Sequence, residues 1–148
     1  MTPPQLGLKI FLCSTHVQIT PDEPSGFLVQ FTDIEEAFTG GATLEEALFN
    51  ASEVLTSILS YRLDNKIDVP LPSAIQTGQY AVAPAPATQT AMLIRQSRKD
   101  RSLSDFARAL GTSWPSAQRL ENPHHSPNLK QLEKAAAALG KRLVLEFV

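Results

Sequence analysis

Residues Ser25–Leu55, "SGFLVQFTDIEEAFTGGATLEEALFNASEVL", change their hydrophobic period part-way along, and that change decides the fold. "FLVQFTD" (Phe27–Asp33) reads as a half-buried strand, and "AFTGG" as a third short strand ending on two glycines. From Thr43 the period lengthens. Leu44, Ala47, Leu48, Ala51, Leu55, Ile58 and Leu59 fall three or four apart, which is one face of a helix. Thr43 and Glu46 have the S/T-x-x-E spacing of a capping box at its start. Upstream, "HVQIT" (His16–Thr20) is a second strand, and "PDEPSG" supplies the turn of a hairpin. A lone hairpin is marginal in water, whereas three strands with a helix laid on them can enclose a core. "LGLKIFLC", within residues 1–14, is open to two readings: an extra edge strand or a partner-binding arm.

Composition bounds the rest. The 148 residues make one large domain or two small ones, and 43% hydrophobic content supports a packed core. The net charge of −2 conceals a division. Residues 1–86 hold three Lys+Arg against ten Asp+Glu, a net of −7, and residues 87–148 hold ten against five, a net of +5. An acidic half suits a basic partner or simple solubility, and a basic half suits a polyanion. Cys13 is the single cysteine, so an intrachain disulfide and a cysteine-built zinc site are both excluded; the expectation is a cytoplasmic protein, with Cys13 a small core residue or a free thiol. No secretory signal is expected, and the apolar runs are too short to span a bilayer.

The charge changes sign at "PLPSAIQTGQYAVAPAPATQT", where Pro70, Pro72, Pro84 and Pro86 stiffen the chain. "QYAV" is the last strand of the first domain. The expected domains are 1–84 and 85–148. The second is helical, with helices over Thr88–Lys99, Leu103–Leu110, Trp114–Asn122 and Leu129–Leu139, and with Gly111 and Gly140 at C-terminal ends that want a left-handed residue. "KRLVLEFV" closes the chain as a strand that needs an edge partner. A second copy is the simplest partner, with Leu143, Leu145 and Phe147 on one buried dimerisation face; pairing within its own chain is the alternative.

"SLSDFARALGTSWPSAQRLENP" (Ser102–Pro123) has the pattern of two helices around a tight turn. Ser102 caps the first, with Asp105 at its positive end. Phe106, Ala107 and Leu110 face inward, and Ala107 permits a close crossing. Ser113 caps the second, Pro115 occupies its first turn, and Ala117 and Leu120 pack back. Trp114, Ser116, Gln118 and Arg119 remain for the outer face. Trp114 either anchors against a thymine methyl or sugar or packs on the neighbouring helix.

That stretch resembles the lambda-repressor-like helix-turn-helix family, with "RLEN" closing the recognition helix; Leu103 and Trp114 stand where the family often has glutamine. "SGFLVQFTDIEEAFTGGATLEEALFNASEVL" and the later "NKIDVPLPS" resemble the HicB antitoxin family, through the Gly-x-x-V-x-F strand, Asp-Ile, Gly-x-Thr and a Glu-Ala-x-x-x-Ala helix; Glu35 and Glu36 replace its frequent proline and glycine. Together the resemblances run from about Ile19 to Val148. They imply an α+β protein: a small antiparallel sheet with one or two helices, partial RNase H-like, then an all-α helix-turn-helix domain with a C-terminal strand. They imply an antitoxin that masks HicA, a small basic RNA-cleaving toxin, and represses its own operon by binding double-stranded operator DNA as a dimer or dimer of dimers. Phe31, Asp33, Ile34, Glu35 and Glu36 are the expected toxin contacts. Ser113, Trp114, Ser116, Gln118 and Arg119 are the expected DNA contacts, with Arg95, Arg98 and Lys99 as candidate phosphate contacts.

Two rivals have different chemistry. Asp33, Glu35, Glu36 and Glu53 could form a metal-dependent nuclease cluster, though Glu45, Glu46 and Glu53 read better as solvated or capping residues. A stand-alone regulator with a ligand-binding or oligomerising first domain is the other. His124 and His125 are adjacent on a loop, a poor arrangement for one metal. The expectation is no enzyme, no metal and no cofactor.

Overall fold

A computed structural model describes residues 15–147. Residues 1–14, with the expected edge strand or arm and Cys13, lie outside that span. The chain divides into two compact units after Pro86.

In the first unit, β1 (Thr15–Pro21) and β2 (Phe27–Phe31) form the expected hairpin, with Val17 opposite Phe31 and Ile19 opposite Val29. β3 (Phe38–Gly41) pairs with the far side of β2, and β4 (Gln79–Val82) with the far side of β1. The sheet is antiparallel throughout, in the order β3-β2-β1-β4. α1 (Leu44–Asp64) lies along it and meets β2, β3 and β4. The apolar stripe read from the sequence is the face it buries: Ala47, Ala51, Leu55 and Leu59 join Val17, Val29, Phe31 and Val82 in the core. Each side chain taken out of water there contributes on the order of 1–3 kcal/mol.

The start of α1 differs in one detail. Thr43 Oγ1 accepts the Glu46 N–H at 3.1 Å, as a cap should. The Glu46 carboxylate takes the N–H of Ala42 at 2.9 Å, one residue before the cap. The entry chain is pressed close to the helix here. A Cβ on Gly41 would lie 2.5 Å from the Ala47 nitrogen, so this position requires glycine.

The second unit is built from α2 (Pro86–Arg98), α3 (Leu103–Leu110), α4 (Trp114–Arg119) and α5 (Leu129–Ala138). Ile94, Phe106, Ala107, Ala117, Leu120, Ala135 and Leu139 make its core. Gly111 caps α3 in the left-handed region at φ 70°, and Gly140 has φ 69°. Asn128 and Gln131 form a complete capping box on α5.

The expected closing strand is absent from the described chain: Lys141–Phe147 carries no strand. In the single chain Leu143 is half-buried, while Leu145 and Phe147 are exposed. A strand requires an edge to pair with, and among the described residues none pairs with this segment.

Candidate functional site

Two surfaces collect the residues singled out above, one in each unit. In the second unit, α3 and α4 are each started by a serine. Ser102 Oγ accepts the Asp105 N–H at 3.0 Å. Ser113 Oγ accepts the Ser116 N–H at 3.4 Å and also donates to the Ser116 hydroxyl at 2.9 Å. Ser116 is therefore half-covered and already bonded within its own helix turn. Trp114 is 45% exposed at the head of α4, and Gln118 and Arg119 are exposed. Ala117 and Leu120 hold the opposite side of α4 in the core.

The three flanking cations are not equivalent. Arg98 does not project for a phosphate. Its Nε bonds Glu121 Oε1 at 2.9 Å with both side chains largely covered, and its Nη1 donates to the Arg101 carbonyl at 2.6 Å. The pair ties the end of α2 to the segment just after α4. Lys99 is exposed, and Arg95 is half-buried.

In the first unit the stretch Phe31–Glu36 separates into two roles. Phe31 and Ile34 are buried core residues. Glu35 and Glu36 stand out in a turn closed by the Ala37 N–H on the Ile34 carbonyl at 3.0 Å. Asp33 points across the surface: its Oδ2 accepts the Ser73 N–H at 3.0 Å, the Ser73 hydroxyl at 3.2 Å and the Thr15 hydroxyl at 3.4 Å. Arg62 bonds Glu36 at 2.6 Å and the Asp68 carbonyl at 2.9 Å. The hydrogen bond from Arg62 holds the Glu36 carboxyl below its usual range. Ser73, Arg62 and Asp68 were not found by sequence reasoning. Asp33 and Ser73 are forty positions apart, and no local spacing announces their bond.

The carboxylates do not assemble a metal centre. Asp33 is engaged by hydroxyl and amide donors, Glu45 and Glu53 are solvated on α1, and no group of three potential ligands occurs among the described residues. His16 is buried in β1, far in sequence from His124 and His125 on the loop before α5. Among the described residues no helix is long and apolar enough to cross a membrane.

With this geometry in place, comparison with known proteins is decisive. Residues 15–91 match the family model described as the HicB-like antitoxin of bacterial toxin–antitoxin systems. The chain belongs to the HicB-like antitoxin family. Its place is in a HicAB toxin–antitoxin system, and the HicB family is non-enzymatic, which removes the nuclease reading. Antitoxin HicB 2 of Photorhabdus laumondii is 33% identical over 129 residues, covering 87% of this chain and 92% of that protein. Antitoxin HicB of Escherichia coli K12 is 29% identical over 134 residues, 89% of this chain and 97% of its own. Antitoxin HicB of Pseudomonas fluorescens is 29% identical over 127 residues, 84% and 87% respectively. These HicB similarities are too long to be confined to residues 15–91, so they extend into the helical unit.

Proposed function

We propose that this HicB-like chain neutralises a HicA toxin by direct binding through its first unit, and represses its own operon through its second, in the cytoplasm. On this reading the sheet with α1 is a partial RNase H-like domain that no longer catalyses. The α3–turn–α4 pair is a helix-turn-helix, with α4 as the recognition helix. The observation that carries it is the pairing of a HicB-type sheet unit of net charge −7 with a helical unit of net charge +5, whose serine-capped α4 exposes Trp114, Gln118 and Arg119. Opposite charge steers a basic toxin to the first unit and a phosphate backbone to the second.

Two half-sites about one helical turn apart require a two-fold dimer. The tail Lys141–Phe147 is the element we assign to that contact, gaining its strand geometry only when a second copy supplies the edge. Dimers of dimers follow if the same operon carries two operators.

The test is co-expression with the adjacent small basic reading frame, followed by purification and mass measurement, and titration of the complex on the upstream DNA. A stable complex that protects RNA from the toxin and retards operator DNA is the expected result. A folded chain that binds operator and ignores the toxin overturns the antitoxin half; the converse overturns the repressor half.

A further inference from the structure

Ile67–Gln76 forms neither helix nor strand, yet it is fastened along its length. The Asp68 carbonyl accepts from Arg62 at 2.9 Å, Ser73 bonds Asp33 through its N–H and its hydroxyl, and the Gln76 N–H meets Gln79 Oε1 at 2.9 Å. Gln79 in turn donates to Thr32 Oγ1 at 3.0 Å. Pro70 and Pro72 stiffen what lies between. On this held strap Leu71 is 71% exposed, with Ile67 and Ile75 also open on either side. A chain segment fixed in place with its large apolar side chains outward loses little entropy on docking.

The same anchors make the strap and the acidic turn one surface. Asp33 begins the turn and binds Ser73; Arg62 binds Glu36 of the turn and the backbone of Asp68 on the strap. Leu71 lies between those two fastenings. The two segments carry exposed acidic residues, Glu35 and Glu36 in the turn and Asp68 on the strap, and of these Glu36 is paired with Arg62. Arg62 and Glu36 offset one another, so Glu35 and Asp68 carry the acidity of this surface.

We propose that Leu71, on the surface that also carries Glu35 and Asp68, is the docking anchor for the toxin: it enters an apolar socket whose edge is basic. This rests on the toxin-masking reading above. The charges select the occupant. A second copy placed on this surface two-fold would bring the same carboxylates together, which repel. Nucleic acid is repelled for the same reason. A basic protein surface is the one that gains from both the carboxylates and the leucine.

The test measures affinity of the full-length antitoxin for the co-expressed toxin at several salt concentrations, with Leu71→Asp, Glu35→Lys and Phe49→Asp. Phe49 is 66% exposed on α1 and serves as a control for lost surface hydrophobicity. Leu71→Asp weakens binding by roughly thirty-fold or more, mainly through faster dissociation. Glu35→Lys slows association and flattens its salt dependence. Phe49→Asp binds as the parent does. Wild-type affinity in Leu71→Asp, or an equal loss in Phe49→Asp, overturns the anchor while leaving toxin masking intact. Failure of the parent antitoxin to bind toxin overturns masking itself, and the anchor with it. Melting curves verify folding; if Leu71→Asp unfolds, Leu71→Ala decides the matter by the same criterion.

Discussion

At Gly41 an added methyl would meet backbone atoms of α1, the Ala47 nitrogen at 2.5 Å and the Ala47 Cα at 2.9 Å. At Gly111 the space around such a methyl is open for 4 Å, but φ is +70°. The two glycines thus answer different demands, and alanine at each separates them. Gly41→Ala must push α1 off the sheet edge and costs about 2–3 kcal/mol. Gly111→Ala strains one residue and costs about 1 kcal/mol. Urea unfolding of both variants measures the difference; equal losses contradict it. A third residue reports on acid. The Glu36 carboxyl is held below its ordinary 4.5 by the bond from Arg62. Its contribution to stability is therefore complete above about pH 4.5 and is lost as pH falls through the lower folded-state value. Glu36 is 58% exposed, so the contribution stays under about 1 kcal/mol. Glu36→Gln removes that slice of the acid dependence and leaves stability near pH 7 reduced by no more than that amount.

The helices show what a short stretch of sequence can determine by itself. α3 and α5 begin at the residues expected, because Ser102 and Asn128 satisfy the first N–H groups from within a few positions. Gly111 ends α3 for an equally local reason. α4 stops at Arg119 instead of Asn122, since the N–H groups of Leu120, Glu121 and Asn122 bond three residues back and tighten the last turn. Glu121 in that turn is also held by Arg98, a partner in another helix, and no period in α4 encodes that bond. Arg98, read from the sequence as a candidate phosphate contact, is bonded there. If α4 reads DNA, Gln118→Ala weakens operator binding by about 1–3 kcal/mol and relaxes preference at one base pair. Lys99→Ala weakens operator and random duplex alike and lowers the salt slope by about one. Titrations of both duplexes at several salt concentrations distinguish them. Unchanged operator binding in the Ser116→Ala, Gln118→Ala, Arg119→Ala triple variant would reduce α3–α4 to a packed helical hairpin.

Across the whole chain, the strand and helix order was legible because hydrophobic period and turn chemistry are both local. The four-strand order, with β4 returning beside β1, is compatible with that reading but not dictated by it. The Asp33–Ser73 fastening was illegible, and so was the half-buried ion pair in the helical unit, since each joins positions brought near only by the finished fold. The tail was misread for the opposite reason: its alternating pattern is local, but a strand also needs a partner edge, and none pairs with it among the described residues. Deleting Arg142–Val148 is expected to give a monomer that binds operator far more weakly, checked by sedimentation and titration; a dimer surviving the deletion moves the contact elsewhere. An antitoxin waiting for its toxin must also remain dispersed, and among the described residues β3 is an edge strand of the sheet. There the Asn50 side-chain amide occupies the Gly40 carbonyl at 2.8 Å, an acceptor that an incoming strand would otherwise use. With that acceptor occupied, a second strand would gain one fewer hydrogen bond by adding at this edge. Colloidal shelf life, more than toxin affinity, is the property that Asn50→Ala should shorten.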